Sequence, residues 1–133
     1  MGNFGRIAYM EPKRLLDPKF PYTKSSDIYS FGILMWEISS GYPPFKDSIS
    51  NSEKFALAFA INNGVRETTI PDTPKEYEEL YKNCWNQEHE QRPTISEVLN
   101  EFAKMGFGTN IKYEMEAELI EMDCMYLFFI YCI

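Results

Sequence analysis

Between residues 25 and 45 the chain reads SSDIYSFGILMWEISSGYPPF, with apolar side chains at Ile28, Phe31, Ile33, Leu34, Met35, Trp36 and Ile38. A surface helix confines such residues to one stripe at i, i+3, i+4 and i+7. Here they fall on every face, which predicts a helix buried all round with other elements packed against it. Ser25, Ser26 and Asp27 each offer an N-cap oxygen. Gly41, followed by Pro43 and Pro44, ends the helix, because glycine accepts a left-handed backbone and proline cannot continue the ladder. A carboxylate at the mouth of a buried helix needs donors aimed at it, so Asp27 predicts a partner elsewhere in the fold.

The elements around that helix follow from period and punctuation. Residues 1–9, with Gly2 and Gly5 and no period, read as loop. Leu15, Leu16, Phe20 and Tyr22 approach the central helix through a connection broken by Pro18 and Pro21. Ser50-Asn51-Ser52-Glu53 has capping-box spacing and opens a helix over about 51–62 that carries Phe55, Ala56, Leu57, Phe59 and Ile61. Asn63-Gly64 ends it. Thr73-Pro74-Lys75-Glu76 is a second capping box with proline at the first helical position, where its missing N–H costs nothing. Tyr77, Leu80, Tyr81, Cys84 and Trp85 then share one helical face. Thr94-Ile95-Ser96-Glu97 opens a third capped helix, in which Ile95, Val98, Leu99, Phe102 and Ala103 repeat the pattern as far as Gly106. No segment of any length alternates with the period of a strand, so the fold class is mainly α.

At these residues a family resemblance enters. The run from Ser26 to Phe45 resembles the central F helix of a eukaryotic protein kinase's C-lobe, whose pattern is D-x-(W/Y)-S-x-G-x-x-(L)-(W/Y)-E followed by G-x-x-P-F. Cys84-Trp85 with Gln91-Arg92-Pro93-Thr94 is similar to the family's C-W…R-P-(T) block. Gly5-Arg6-Ile7-Ala8-Tyr9-Met10-Glu11-Pro12-Lys13 resembles G-T-x-x-Y-M-A-P-E, the end of the activation segment. The W-E, P-P-F and C-W…R-P-T texture points to the tyrosine-kinase-like group, whose members are mostly serine/threonine-specific. The resemblance covers residues 1–105 as a partial C-lobe helical bundle beginning near the end of the activation loop, and it leaves 106–133 as an unassigned extension.

Three positions depart from the pattern. Arg6 stands where serine/threonine kinases carry a threonine, Glu11 stands at the alanine, and Lys13 replaces the glutamate that pairs with the arginine matching Arg92. Lysine cannot make that pair, so either Glu11 accepts from Arg92 or Lys13 and Arg92 are both solvated. Both readings stand open from the sequence. Asn3-Phe4-Gly5 echoes the metal-binding D-F-G, but the expected activation loop does not separate it from the segment at Gly5.

Phosphoryl transfer by this family needs a glycine-rich loop, a strand lysine, a catalytic-loop H-R-D…N and a D-F-G aspartate. None occurs in the sequence, so no catalytic, cofactor-binding or metal-ligating residue is expected; ATP and magnesium belong to a complete parent kinase. By resemblance, Arg6, Ile7, Ala8, Tyr9 and Glu37 form a substrate shelf, with Glu37 where some basic-directed kinases contact substrate cations. Asp27, Leu34, Trp36, Ile38, Trp85 and Arg92 are structural anchors. Asp27 would accept hydrogen bonds from the catalytic loop; without that loop it is either exposed by fraying or buried at several kcal/mol. Leu34, Trp36 and Ile38 are ordinary core on the plainer reading, which holds whatever the protein does. Apolar residues such as Ile28 and Leu34 are expected to stay partly exposed.

Composition narrows the partners. With 20 acidic against 13 basic residues the formal charge is −7, which argues against nucleic acid. Cys84, Cys124 and Cys132 are odd in number and lack C-x-x-C spacing, which suits reduced thiols in the cytoplasm. His89 is the single histidine, which removes a histidine-based metal cluster. No apolar h-region follows Met1, and Arg6 stands where a myristoylation motif wants serine or threonine. Gly106-Phe107-Gly108 follows a helix and reads as a C-cap and linker, not a phosphate loop. The uncharged run CMYLFFIYCI at 124–133 is about half the length a spanning helix needs, so membrane association is not expected and folding back onto the domain is favoured. The expected partner is a protein substrate or partner protein. Three functions follow in order: part of a protein kinase domain inactive by itself, a non-catalytic pseudokinase-like interaction module, and a peripheral membrane protein held by its tail.

Overall fold

The computed structural model describes residues 4–47 and 53–107, and these contain helices and turns but no strand. Six α-helices follow in order: α1 (Phe4–Tyr9), α2 (Pro12–Leu16), α3 (Lys24–Ser40), α4 (Glu53–Asn62), α5 (Lys75–Cys84) and α6 (Ile95–Lys104), with a single 3₁₀ turn at His89–Gln91 before α6. The longest is α3, which α1 and α5 contact directly. α5 packs along it, α1 touches both α3 and α4, α2 lies against α4, and α6 closes over α5.

α3 starts two residues earlier than a Ser25 cap would place it. Thr23 is the N-cap, and its backbone N–H donates to Ser26 Oγ at 3.1 Å, which leaves Ser26 in the third helical position, not at the cap. At the far end Gly41 adopts φ +71° and donates to the Glu37 carbonyl at 2.9 Å, the left-handed cap its sequence predicts. Ile28, Tyr29, Ile33 and Met35 are all but inaccessible, and fully burying such a side chain contributes about 1.5–3 kcal/mol. The expectation of burial on every face fails at two positions: Leu34 is half-buried and Ile38 is 51% exposed. Of the two residues expected to stay partly bare, Leu34 does so and Ile28 is buried.

Gly32 makes the tightest helix crossing. It lies against the last turn of α5, and a Cβ there would stand 2.8 Å from Cys84 Cβ and 2.9 Å from the Tyr81 carbonyl oxygen. The α5 face reads as its period predicts, with Leu80, Tyr81, Cys84 and Trp85 buried and Tyr77 half-buried. Its entrance differs from expectation. Pro74 occupies the N-cap with no side-chain cap bond, and its carbonyl accepts from Glu78 N at 2.9 Å. The Thr94 cap of α6 forms fully: Glu97 N donates to Thr94 Oγ1 at 3.3 Å and Thr94 N to the Glu97 carboxylate at 2.7 Å.

Both α4 and α6 end in paired backbone bonds around a left-handed glycine. Val65 N bonds the Ala60 carbonyl and Gly64 N the Ile61 carbonyl; Phe107 N and Gly106 N do the same with Phe102 and Ala103. The apolar residues of α4 divide unexpectedly. Ala58 and Ile61 face the core, whereas Phe55 is 85% exposed and Phe59 is 62% exposed. The expected loop at residues 1–9 is helical from Phe4 to Tyr9, because Ala8 is buried and Ile7 and Tyr9 pack on the core. The capping box at 50–53 and the tail at 124–133 lie largely or wholly outside the described residues.

Candidate functional site

Tyr9 joins the end of α1 to α3 in two places. Ser30 Oγ donates to its carbonyl at 2.6 Å, and its own hydroxyl donates to the Glu37 carboxylate. Burial, with the Glu37 carboxylate beside it, pushes the Tyr9 phenol well above its ordinary value, so it stays a neutral donor at any physiological pH. Of the five shelf residues named from sequence, the geometry therefore brings Tyr9 and Glu37 into contact. Ala8 is buried behind them and Ile7 is half-buried, while Arg6 belongs to α1. Glu37 is half-buried, and Ile38, the next residue along α3, is 51% exposed.

A buried charged knot lies at the other end of α3, beside its first turn. Arg92 is 7% exposed and offers its guanidinium to both carboxylate oxygens of Glu11, itself 2% exposed; the Nη2–Oε1 distance is 3.1 Å. Arg92 Nη1 also donates to the Ser25 carbonyl at 3.0 Å, and Nε to the Asn86 carbonyl at 2.8 Å. This settles which of the two alternatives holds: Arg92 is not solvated, and Glu11 is its acceptor. A buried pair needs its remaining donors satisfied to repay desolvation, and here backbone carbonyls do so. Lys13 instead turns to the rim, 3.4 Å from Glu88 Oε2 and 3.4 Å from His89 Nδ1.

One residue of this knot, Arg66, has no mark in the sequence, whereas Tyr29 fills the (W/Y) position of the central-helix pattern. Arg66 donates through Nε to the Trp85 carbonyl at 3.1 Å and through Nη2 to Gln87 Oε1 at 2.8 Å. Tyr29 lies between the two guanidinium groups, its ring 5.1 Å from Arg66 and 5.0 Å from Arg92. Burial pushes the Tyr29 phenol up to about 12, against the pull of both arginines. Its hydroxyl is buried without a hydrogen-bond partner. Nothing in Asn63-Gly64-Val65-Arg66 distinguishes that arginine from a surface charge; only the folded chain brings it beneath Trp85.

The other anchors divide. Trp85 is buried with its ring 4.9 Å from Tyr81, and Trp36 is buried with Nε1 donating to the Thr68 carbonyl at 2.8 Å. Asp27 is neither frayed nor buried at uncompensated cost: it is half-buried and accepts from the Tyr22 hydroxyl. Leu34 and Ile38, buried in the plain core reading, present apolar surface instead. Among the described residues no group of three or more His, Cys, Asp or Glu is placed to hold a metal ion, and no helix is long and apolar enough to cross a membrane.

Comparison with known proteins agrees with this arrangement. The family model for protein tyrosine and serine/threonine kinases matches residues 2–102. A "Probable LIM domain-containing serine/threonine-protein kinase" of Dictyostelium discoideum is 30% identical over 110 residues, covering 83% of this chain and 16% of the relative. Mitogen-activated protein kinase kinase kinase 7 of Homo sapiens is 33% identical over 97 residues, covering 73% of this chain and 15% of the relative. Cyclic GMP-binding protein C of Dictyostelium discoideum is 38% identical over 78 residues, which is 59% of this chain and 3% of that protein. The chain thus spans a small part of the length of these relatives. A helical core built on α3, the Trp85 and Arg92 block fixed to it, and a family match over residues 2–102 together make this chain a member of the protein tyrosine and serine/threonine kinase family.

Proposed function

We propose that this chain is the substrate-side part of a protein kinase C-lobe, and that the parent protein transfers the ATP γ-phosphate to serine or threonine of proteins in the cytoplasm. The observation that supports the reading most is the double attachment of Tyr9 to α3, through Ser30 and through Glu37. It holds residues 6–9 against α3, with the Glu37 carboxylate at their end, and a peptide laid along that segment would meet this carboxylate. The serine/threonine kinases among the relatives favour a protein substrate.

The chain's own residues do not fit a nucleotide and its metals. Asp27 is engaged by the Tyr22 hydroxyl, and the described acidic residues nowhere gather three ligands. No strand lysine, H-R-D or D-F-G is in the sequence. The chemical step is therefore assigned to upstream segments of the parent, and the 133-residue chain contributes positioning alone. Leu34 and Ile38 offer the apolar surface on which such a segment would rest.

The test is to express the chain joined to the reading frame upstream of Met1 and assay phosphate transfer to a mixed Ser/Thr/Tyr peptide library. Transfer to serine or threonine is the expected result. An upstream frame that encodes the lysine, H-R-D and D-F-G motifs yet yields no transfer would overturn the catalytic reading. A frame without those motifs would favour the second reading, a non-catalytic interaction module, for which the exposed rings of Phe55 and Phe59 on α4 are the supporting observation.

A further inference from the structure

We propose that Glu11 is the positioning residue of the substrate-facing segment, having taken over the anchoring role that the kinase pattern gives to the position of Lys13. This rests on reading residues 6–9 as a substrate shelf. Two pairs of opposite polarity tie the start of α2 to the turn before α6. Inside, the Glu11 carboxylate meets Arg92, with side-chain exposures of 1% and 0%. Outside, the Lys13 ammonium meets Glu88 at 3.4 Å, with side-chain exposures of 33% and 53%, and rests 5.7 Å from the Phe20 ring. The sign expected at position 13 has moved inward to position 11, and the cation has moved to the rim.

The two pairs are not equal. Glu11 is the N-cap residue of α2 and forms no side-chain cap bond there, so its carboxylate is committed to Arg92. Through Arg92 it is joined to the Ser25 carbonyl in the first turn of α3 and to the Asn86 carbonyl. Two residues before it comes Tyr9, whose carbonyl and hydroxyl are both bound to α3. Tyr9 fixes the end of α1 and Glu11 fixes the start of α2, so the short connection between them has two fasteners. Removing one partner of a buried pair leaves a desolvated charge, whereas an exposed pair is worth little.

Hydrogen–deuterium exchange on the full 133-residue chain, comparing wild type with E11Q, E11A and K13A, tests this. In E11A, amides of α1 and α2 should lose protection by on the order of a hundredfold, while those of α5 and α6 stay within about fivefold. E11Q keeps the shape and one acceptor oxygen, and should show a smaller loss confined to the same two helices. K13A should leave every helix within about fivefold of wild type. Equal loss in all four helices of E11Q would overturn the proposal, because the pair would then be a general core contact. So would a K13A profile matching E11A, or unchanged α1 and α2 in both Glu11 variants. No nucleotide or substrate enters the measurement, so its outcome is read separately from that of the phosphate-transfer assay.

Discussion

Replacing Gly32 by alanine probes the contact on which the helical core depends. The added Cβ would lie 2.8 Å from Cys84 Cβ, 2.9 Å from the Tyr81 carbonyl oxygen and 3.0 Å from the Trp85 backbone nitrogen. Two of these neighbours are backbone atoms, and they are bonded to each other: Trp85 N donates to the Tyr81 carbonyl at 3.0 Å. Relief requires α5 to move off α3 or its last turn to open. Overpacking of a fixed core costs roughly 1–3 kcal/mol, and backbone neighbours put this site toward the upper end. Against that, alanine in a helix interior is favoured over glycine by about 0.5–1 kcal/mol. The balance is a net loss of about 1–2 kcal/mol, which for a domain of this size lowers the melting temperature by about 5–15 °C. Thermal unfolding followed by circular dichroism at the helix band measures it. Gly41 is the control: a Cβ there meets nothing within 4 Å, so G41A reports only the strain of alanine at φ +71°, about 1 kcal/mol. A G32A protein that melts at or above wild type would refute the packing argument.

Tyr29→Phe removes a buried hydroxyl that has no partner while keeping the ring between Arg66 and Arg92, so denaturant unfolding should give a stability equal to wild type or up to about 1–2 kcal/mol higher; a loss would reveal that the hydroxyl is satisfied in solution. The Thr94 cap carries a pH signature. Its backbone N–H and hydroxyl hold the Glu97 carboxyl below its ordinary value of 4.5, so the stabilisation is complete above that value and is lost as pH falls through the lower folded value. The melting difference between wild type and E97Q should be present near neutral pH and shrink as pH falls through the lowered folded value; a gap that persists undiminished in strong acid would place the effect elsewhere.

The helices were legible in the sequence where a single face repeats. The face of α5, that of α6 apart from the exposed Ala103, the glycine stops at Gly41, Gly64 and Gly106, and the Thr94 cap all follow local rules. α1 was not legible, because six residues interrupted by Gly5 have no period of their own and are held by Ala8 and Tyr9 against α3. Nor was the outward turn of Phe55 and Phe59, since apolar residues reach the surface whenever nothing is positioned to cover them. The same reasoning applies to Ile38, apolar on a central helix yet half bare. Of the site, the Glu11–Arg92 pair was half-visible, as a lysine of the wrong sign at position 13 with a carboxylate nearby. The Tyr9–Glu37 contact spans 28 residues and the Arg66–Gln87 contact 21, distances that local pattern does not bridge.

On the proposed function this chain positions a substrate-facing segment, and nucleotide chemistry belongs to other parts of its parent. Isothermal titration calorimetry of the full 133-residue chain with Mg-ATP addresses it most directly. Heats indistinguishable from dilution up to millimolar nucleotide are expected on the proposed reading, which rests on the sequence holding no strand lysine, H-R-D or D-F-G. A saturable isotherm of unit stoichiometry would contradict that division.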